Sequence, residues 1–200
     1  RGIVKTPNDF GKAGDQPSNP ELLNWLANEF QSGGWSIKHM HRVIMNSRAW
    51  QRSSESHAAN HAIDPGNLHH WRANLRRLES EAIRDAVLQS AGVLNPERGG
   101  RGFFPPLAGE VVAGASRPGR NWQWSPREQQ RRRSVYVFVK RTMLYPLFEI
   151  FDYTNTEGSL GVRPTTTVAP QALLLLNSEF VAENAAILAK KAGAQPDPVS

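Results

Sequence analysis

The chain has 200 residues, no cysteine, 39% hydrophobic residues and a net charge of +6. That length suffices for one core-bearing domain with an irregular arm, and the missing cysteine excludes disulfides, thiolate metal sites, a cysteine nucleophile and c-type haem attachment within it. No apolar run approaches the roughly 18 residues of a membrane-spanning helix, and the charge is local: from Arg117 to Arg141 eight cations face Glu128 alone, giving +7, while the rest carries −1.

Residues 1–18 are rich in Gly, Pro, Asn and Asp and read as an ordered loop or arm. No charged-then-apolar leader follows Arg1, and the chain opens in mid-phrase, as a piece of a longer protein would. Asn19-Pro20-Glu21 starts a helix well, with Asn as N-cap, Pro at N1 and an acid in the first turn. Leu22, Leu23, Leu26, Ala27 and Phe30 give it one apolar face, and Gly33-Gly34 ends it. Ser36 caps a second helix with Ile37, Met40 and Ile44 in phase, Val43 at the edge, and an end near Trp50. The short link predicts a helical hairpin within residues 1–52.

Residues 53–66 read as a polar linker. A long helix is expected within 67–94, with Leu75, Leu78, Ala82, Ile83, Ala86 and Val87 as its stripe and Gly92 as its stop. From 95 to 131 the pattern dissolves into a basic, Gly/Pro-rich loop. Ser134 to Lys140 then alternates Val135, Val137 and Val139 with Tyr136 and Phe138, which predicts a strand. Glu110 to Ala115 is its best antiparallel partner. Short helices follow near Tyr145–Phe151 and Ala169–Leu176, and a last helix carries Val181, Ala185, Leu188 and Ala192. Residues 132–194 thus hold the strand and the C-terminal helices, and 195–200 a frayed tail. The expected fold is mainly α: a single helical domain over 1–194 with one small antiparallel β pair and long ordered loops.

Candidate chemistry is sparse. The block Arg76 to Asp85 can bring Arg77, Glu81, Arg84 and Asp85 to one helix face. It reads either as an acidic pair for acid–base work or as a structural ion-pair network, and the structural reading is favoured because such networks are common. Asp9 and Asp152 complete the list of candidate acids. His39 and His41 diverge on a helix; His57 and His61 have a metal-ligating spacing but sit in a weakly helical linker, so no metal site is assigned. No Gly-x-Ser-x-Gly elbow and no phosphate-binding glycine loop is present, which disfavours the common hydrolase and nucleotide classes. The interleaving of Arg117, Arg120, Arg127 and Arg131 with Trp122 and Trp124 offers bidentate cations beside flat rings, a pattern suited to a polyanion. The alternative is a loop whose arginines pair with carboxylates of the same chain.

Several stretches read as fixed phrases. These are Arg1 to Gly11, Pro20-Glu21-Leu22-Leu23-Asn24-Trp25-Leu26-Ala27, Gly34 to Arg42, Trp50 to Ser54, Arg76 to Asp85, Arg132 to Val137, Phe151-Asp152, and Thr165-Thr166-Thr167-Val168-Ala169-Pro170-Gln171-Ala172-Leu173. In this order they resemble the C-terminal "PSD-one" domain of large planctomycete cytochrome c-like proteins, a family of unknown function. Asn24 stands where that family has Asp, and Trp50 where it has Tyr. The resemblance implies an extracytoplasmic protein, periplasmic or secreted. It implies upstream domains of the same polypeptide as partners, with haem there and no cofactor in this chain. It brings no catalytic residue. In that setting an anionic polysaccharide is a better polyanion than nucleic acid.

The reading is an interaction or scaffolding module rather than an enzyme. The rivals are a polysaccharide-active hydrolase or lyase using Glu81, Asp85, Asp9 or Asp152, and a docking module for an upstream haem domain.

Overall fold

The computed structural model describes residues 2–9, 11–107, 109, 122–141, 143–154, 156 and 158–193. They form a helix-rich structure in two compact units, Arg1–Arg76 and Arg77–Ser200. In the first unit, Asp15 donates its N–H to Thr6 Oγ1 (2.8 Å) and Ser18 to the Ile3 carbonyl (2.9 Å), closing an ordered loop before the helices. Helix α1 spans Pro20–Ser32 and α2 spans Ile37–Met45, packed as a hairpin. The caps are those expected: Asn19 accepts from the Leu22 N–H (3.0 Å) and Ser36 from the His39 N–H (3.3 Å).

The link between α1 and α2 is a Schellman turn. Gly34, at φ +70°, donates to the Gln31 carbonyl (3.1 Å), and Trp35 donates to the Phe30 carbonyl (2.9 Å). The accompanying apolar contact is the edge-on packing of Phe30 and Trp35, with ring centroids 5.2 Å apart. A Glu29–His39 contact of 2.8 Å ties the two helices together. A Cβ on Gly33 would lie 2.7 Å from His39 Cδ2, so glycine permits this close approach.

The expected linker contains a short helix, α3, Ala58–Ile63. The long helix expected from residue 67 starts only at Ser80, as α4, Ser80–Ser90. Polar side chains occupy the backbone that a helix would have used. Asp64 accepts from the Leu68 and His69 N–H groups (both 2.9 Å), and its carbonyl accepts from Trp71 Nε1 (2.9 Å). Asn67 donates to the Arg72 carbonyl and to Asn74 (2.8 and 3.0 Å). Asn67 and His70 both have positive φ, which breaks any helix there. Asp64 and Asn67 are the buried side chains of the first unit's described residues; none of its apolar side chains is buried.

The second unit holds the core. Phe103, Val137, Leu147, Phe148 and Phe151 pack together under Ile83, Tyr145, Leu174 and Phe180, and Leu107, Trp122 and Met143 form a smaller cluster beside them. Its further helices are α5 (Arg127–Gln130), α6 (Pro146–Ile150), α7 (Ala169–Asn177) and α8 (Glu179–Gly193). Helix α4 packs on α6 and α8, and α7 packs on both as well. Gly92, at φ +71°, stops α4 as expected, with Val93 donating to the Leu88 carbonyl (3.0 Å).

The antiparallel β pair is not confirmed. Ser134–Tyr136 is a 3-10 turn, Val137 bridges Phe103 in parallel, and the antiparallel pairing among the described residues is one bridge, Lys140 with Met143. The reason lies in the backbone donors. The Ser134 N–H goes to Asp85 (2.7 Å), and those of Tyr136 and Val137 go to carbonyls three residues back (both 3.0 Å). Among the described residues, the Phe103–Tyr136 and Phe138–Phe103 bonds remain for pairing (2.8 and 2.7 Å). The proposed partner, residues 110–115, lies outside the described residues. No single helix among the described residues is long and apolar enough to cross a membrane.

Candidate functional site

The candidate acids of the second unit sit in arginine networks, but with partners other than those expected. Arg77 precedes α4, so it does not share a helix face with Glu81. It reaches instead across the fold to Asp152 (2.6 Å), to the Thr166 and Leu78 carbonyls (both 2.7 Å), and over the Phe151 ring. Asp152 also accepts from the Thr166 N–H (2.7 Å) and hydroxyl (2.9 Å). Gln171 donates to that hydroxyl and to the Ile150 carbonyl (both 3.1 Å), and accepts from the Val168 N–H (3.3 Å) at the start of α7.

Asp152 ends α6 in an unusual way. It takes the left-handed position of a Schellman turn, at φ +59°, where glycine is the usual residue. It donates to the Glu149 carbonyl (3.2 Å), Tyr153 donates to Phe148 (2.9 Å), and the Tyr153 and Phe148 rings stack at 5.1 Å. The turn aims the carboxylate at Arg77 and Thr166. The Thr166 N–H, then its hydroxyl, then the hydrogen bond and charge of Arg77 hold this carboxyl below the usual carboxylate range, against the opposing effect of burial.

Glu81 receives both carboxylate contacts from one nitrogen of Arg163 (2.9 and 2.8 Å) and a further bond from the Ser80 hydroxyl (2.8 Å). Arg163 also touches Glu79 (3.4 Å) and lies over the Tyr153 ring. Burial raises the Tyr153 phenol, the Glu81 charge adds to this, and Arg163 opposes it. Asp85 accepts from Ser134 and lies 3.9 and 3.8 Å from the Arg84 and Arg133 guanidinium groups.

Arg84 is 2% exposed. It donates to the carbonyls of Arg132 (3.0 Å) and Gln130 and to the Ser134 hydroxyl (3.3 Å), between the rings of Phe103 and Phe180. Burial lowers its pKa, while Tyr145 and Asp85 oppose that; burial in turn raises Tyr145. Arg132 stacks on Tyr136 and donates to the carbonyls of Gly99 and Arg101 and to Gln129. Arg84 and Arg132 are therefore internal scaffolding. Asp9 belongs to the first unit, on an exposed loop.

Arg77, Glu79, Asp152, Arg163 and Thr165 line a pocket of about 10 Å³, the scale of one water molecule. Sites for a small-molecule ligand are typically some 300 Å³ or more. The expected polyanion site is described only in part. Arg117 and Arg120 lie outside the described residues. Trp122 is a core residue, 6% exposed, with Nε1 donating to the Pro105 carbonyl (3.1 Å) and its ring against Phe104 and Phe138. Trp124 is 60% exposed, Arg127 pairs with Glu183 (2.6 Å), and Arg131 is half-buried with its carbonyl accepting from Asn95. Among the described residues no group of three His, Asp or Glu could hold a metal. Sequence reasoning missed Arg163 and Gln171 as network members; the Thr165–Leu173 phrase was the signal that pointed nearest to them.

The model of the family PSD1, protein of unknown function (DUF1553), matches residues 1–199, and the chain belongs to that family. No curated protein and no solved structure matches it.

Proposed function

We propose that this member of the family is a non-catalytic interaction or scaffolding module. One observation carries the reading: Glu81 and Asp152 each accept several donors at hydrogen-bonding distance, and Asp85 accepts from the Ser134 N–H with two guanidinium groups within 4 Å. A carboxylate that trades protons with a substrate needs a free oxygen facing a cleft. Here the oxygens face arginines and backbone N–H groups that hold distant segments together. Anionic polysaccharide as the partner is the finer part of the proposal, supported by the exposed Trp124 and tested by salt-sensitive retention on a sulfated-glycan column. The extracytoplasmic setting and a haem-bearing segment upstream are proposals supported by the family resemblance alone.

Thermal melting of Glu81→Gln and Asp152→Asn separates the scaffold from the enzyme. Structural carboxylates predict a drop in Tm of about 4 °C or more in each variant. An unchanged or raised Tm would sink the scaffold reading, because removing a catalytic carboxylate commonly relieves strain. Release of reducing ends from an acidic polysaccharide, lost in both variants, would establish the enzyme.

A further inference from the structure

The first unit presents a surface that the carboxylate networks leave unexplained. Helix α2 packs against α1, with His39 on Glu29, and His39, Met40 and Val43 are its half-buried residues. Its other six residues are exposed. At about 100° per residue they follow one another around the outward arc as Ile44, Ile37, His41, Met45, Lys38 and Arg42. The arc therefore runs from apolar to basic.

A tryptophan stands beyond each end of the helix. Trp35 is 65% exposed, Trp50 is 62% exposed, and Ile37 between them is 64% exposed. From Trp35 to Arg52 the chain carries Lys38, Arg42, Arg48 and Arg52 and no acidic residue. The cations thus have no acid of their own segment to neutralise them.

We propose that this helix seats the chain on an anionic lipid surface, lying in the plane of the headgroups. Each feature has a place there. Ile37, Ile44 and Met45 enter the acyl boundary, and the indoles of Trp35 and Trp50 settle at headgroup level. Lys38 and Arg42 meet the lipid phosphates, each cation adding attraction that salt screens. A soluble polyanion would use the cations but gain little from three aliphatic side chains. The inference stands on the first unit's surface and is independent of the carboxylate reading.

The test is co-sedimentation of the full chain with vesicles of phosphatidylcholine alone and of an equal mixture with phosphatidylglycerol. Binding is expected to the mixture, with a blue shift of tryptophan emission, and to be at least tenfold weaker on phosphatidylcholine. The pair Lys38→Gln/Arg42→Gln weakens it by roughly tenfold or more, and so does the pair Ile37→Ser/Trp50→Ser. Far-UV circular dichroism stays unchanged in both, because these side chains are exposed. Three results overturn the proposal: no binding to the mixed vesicles, equal binding to both vesicles, or binding that Ile37→Ser/Trp50→Ser leaves intact while sulfated dextran competes it away. The last would make the surface a polyanion site.

Discussion

The two units put many of the same residue types to different uses. In the second, four arginines turn toward the chain's own rings and polar groups: Arg77, Arg84, Arg132 and Arg163 each lie over a ring and are bonded to carbonyls or carboxylates of remote segments. In the first, tryptophans and cations flank an exposed helix face, and no apolar side chain of the described residues is buried. A count of Arg and Trp along the sequence makes the two regions alike. Only the pairing distinguishes glue from surface, and substitutions at four positions sharpen that distinction.

Arg84→Ala should have the largest effect. It deletes a buried cation and orphans two carbonyls and a hydroxyl in the middle of the second unit's core. Breaking a buried charged network of this kind costs about 3–5 kcal/mol, read as loss of cooperative unfolding or a large fall in denaturation midpoint. A fall under about 1 kcal/mol would mean that the core closes without the guanidinium, and the inward half of the comparison would fail.

Asp152 comes next, because two opposed effects meet there. Asp152→Gly relieves the left-handed backbone, worth about 1 kcal/mol, but loses the bonds to Arg77 and Thr166. Asp152→Asn loses the charge and keeps the local geometry. Both should be less stable than the parent near neutral pH, with the glycine variant losing less than Asp152→Ala. The sign with pH follows from the lowered carboxyl. Its contribution is complete above the ordinary aspartate range, about 4, and is lost as pH falls through the lowered folded value. The parent should therefore lose stability on acidification that Asp152→Asn does not lose. Parallel acid titrations of the two would count against the charge as the source.

Position in the chain decides how much of this the sequence could reveal. The caps of α1 and α2 were legible because Asn19, Pro20, Gly33 and Ser36 act on backbone within a few residues. The end of α4 was legible for the same reason, through Gly92. The start of α4 was not, because Asp64 and Asn67 replace helix bonds by side-chain bonds that composition does not announce. The partners of the charged block were hidden by distance: Arg77 and Asp152 are 75 residues apart, Arg163 and Glu81 82 residues. The left-handed turn at Asp152 was masked by its residue type, since no glycine marks it.

Gly33→Ala tests the first unit from within. The added Cβ would lie 2.7 Å from His39 and 2.9 Å from the Glu29 carbonyl, so the hairpin must open slightly. The Glu29–His39 contact should break, at a cost of about 1 kcal/mol. A shift of the His39 ring resonances without loss of helix content would report it. Unchanged resonances would place the two helices farther apart than described here.

The smallest expected effect is the most informative about the contrast. Trp50→Ser removes a large aromatic side chain from a position that is mostly solvated. A buried tryptophan in a core would cost about 3–5 kcal/mol on truncation, whereas an exposed one changes stability by no more than about 0.5 kcal/mol. A near-null result in urea denaturation, beside the large loss for Arg84→Ala, would mean that an arginine holds one unit together while a tryptophan leaves the other's stability untouched. That inverts the ordinary expectation that apolar side chains stabilise and charged ones solubilise. It also leaves Trp50 free to act outward without cost to the fold. A loss near the buried-core value would instead show that Trp50 is covered in solution, and the first unit's surface would have to be redrawn around whatever covers it.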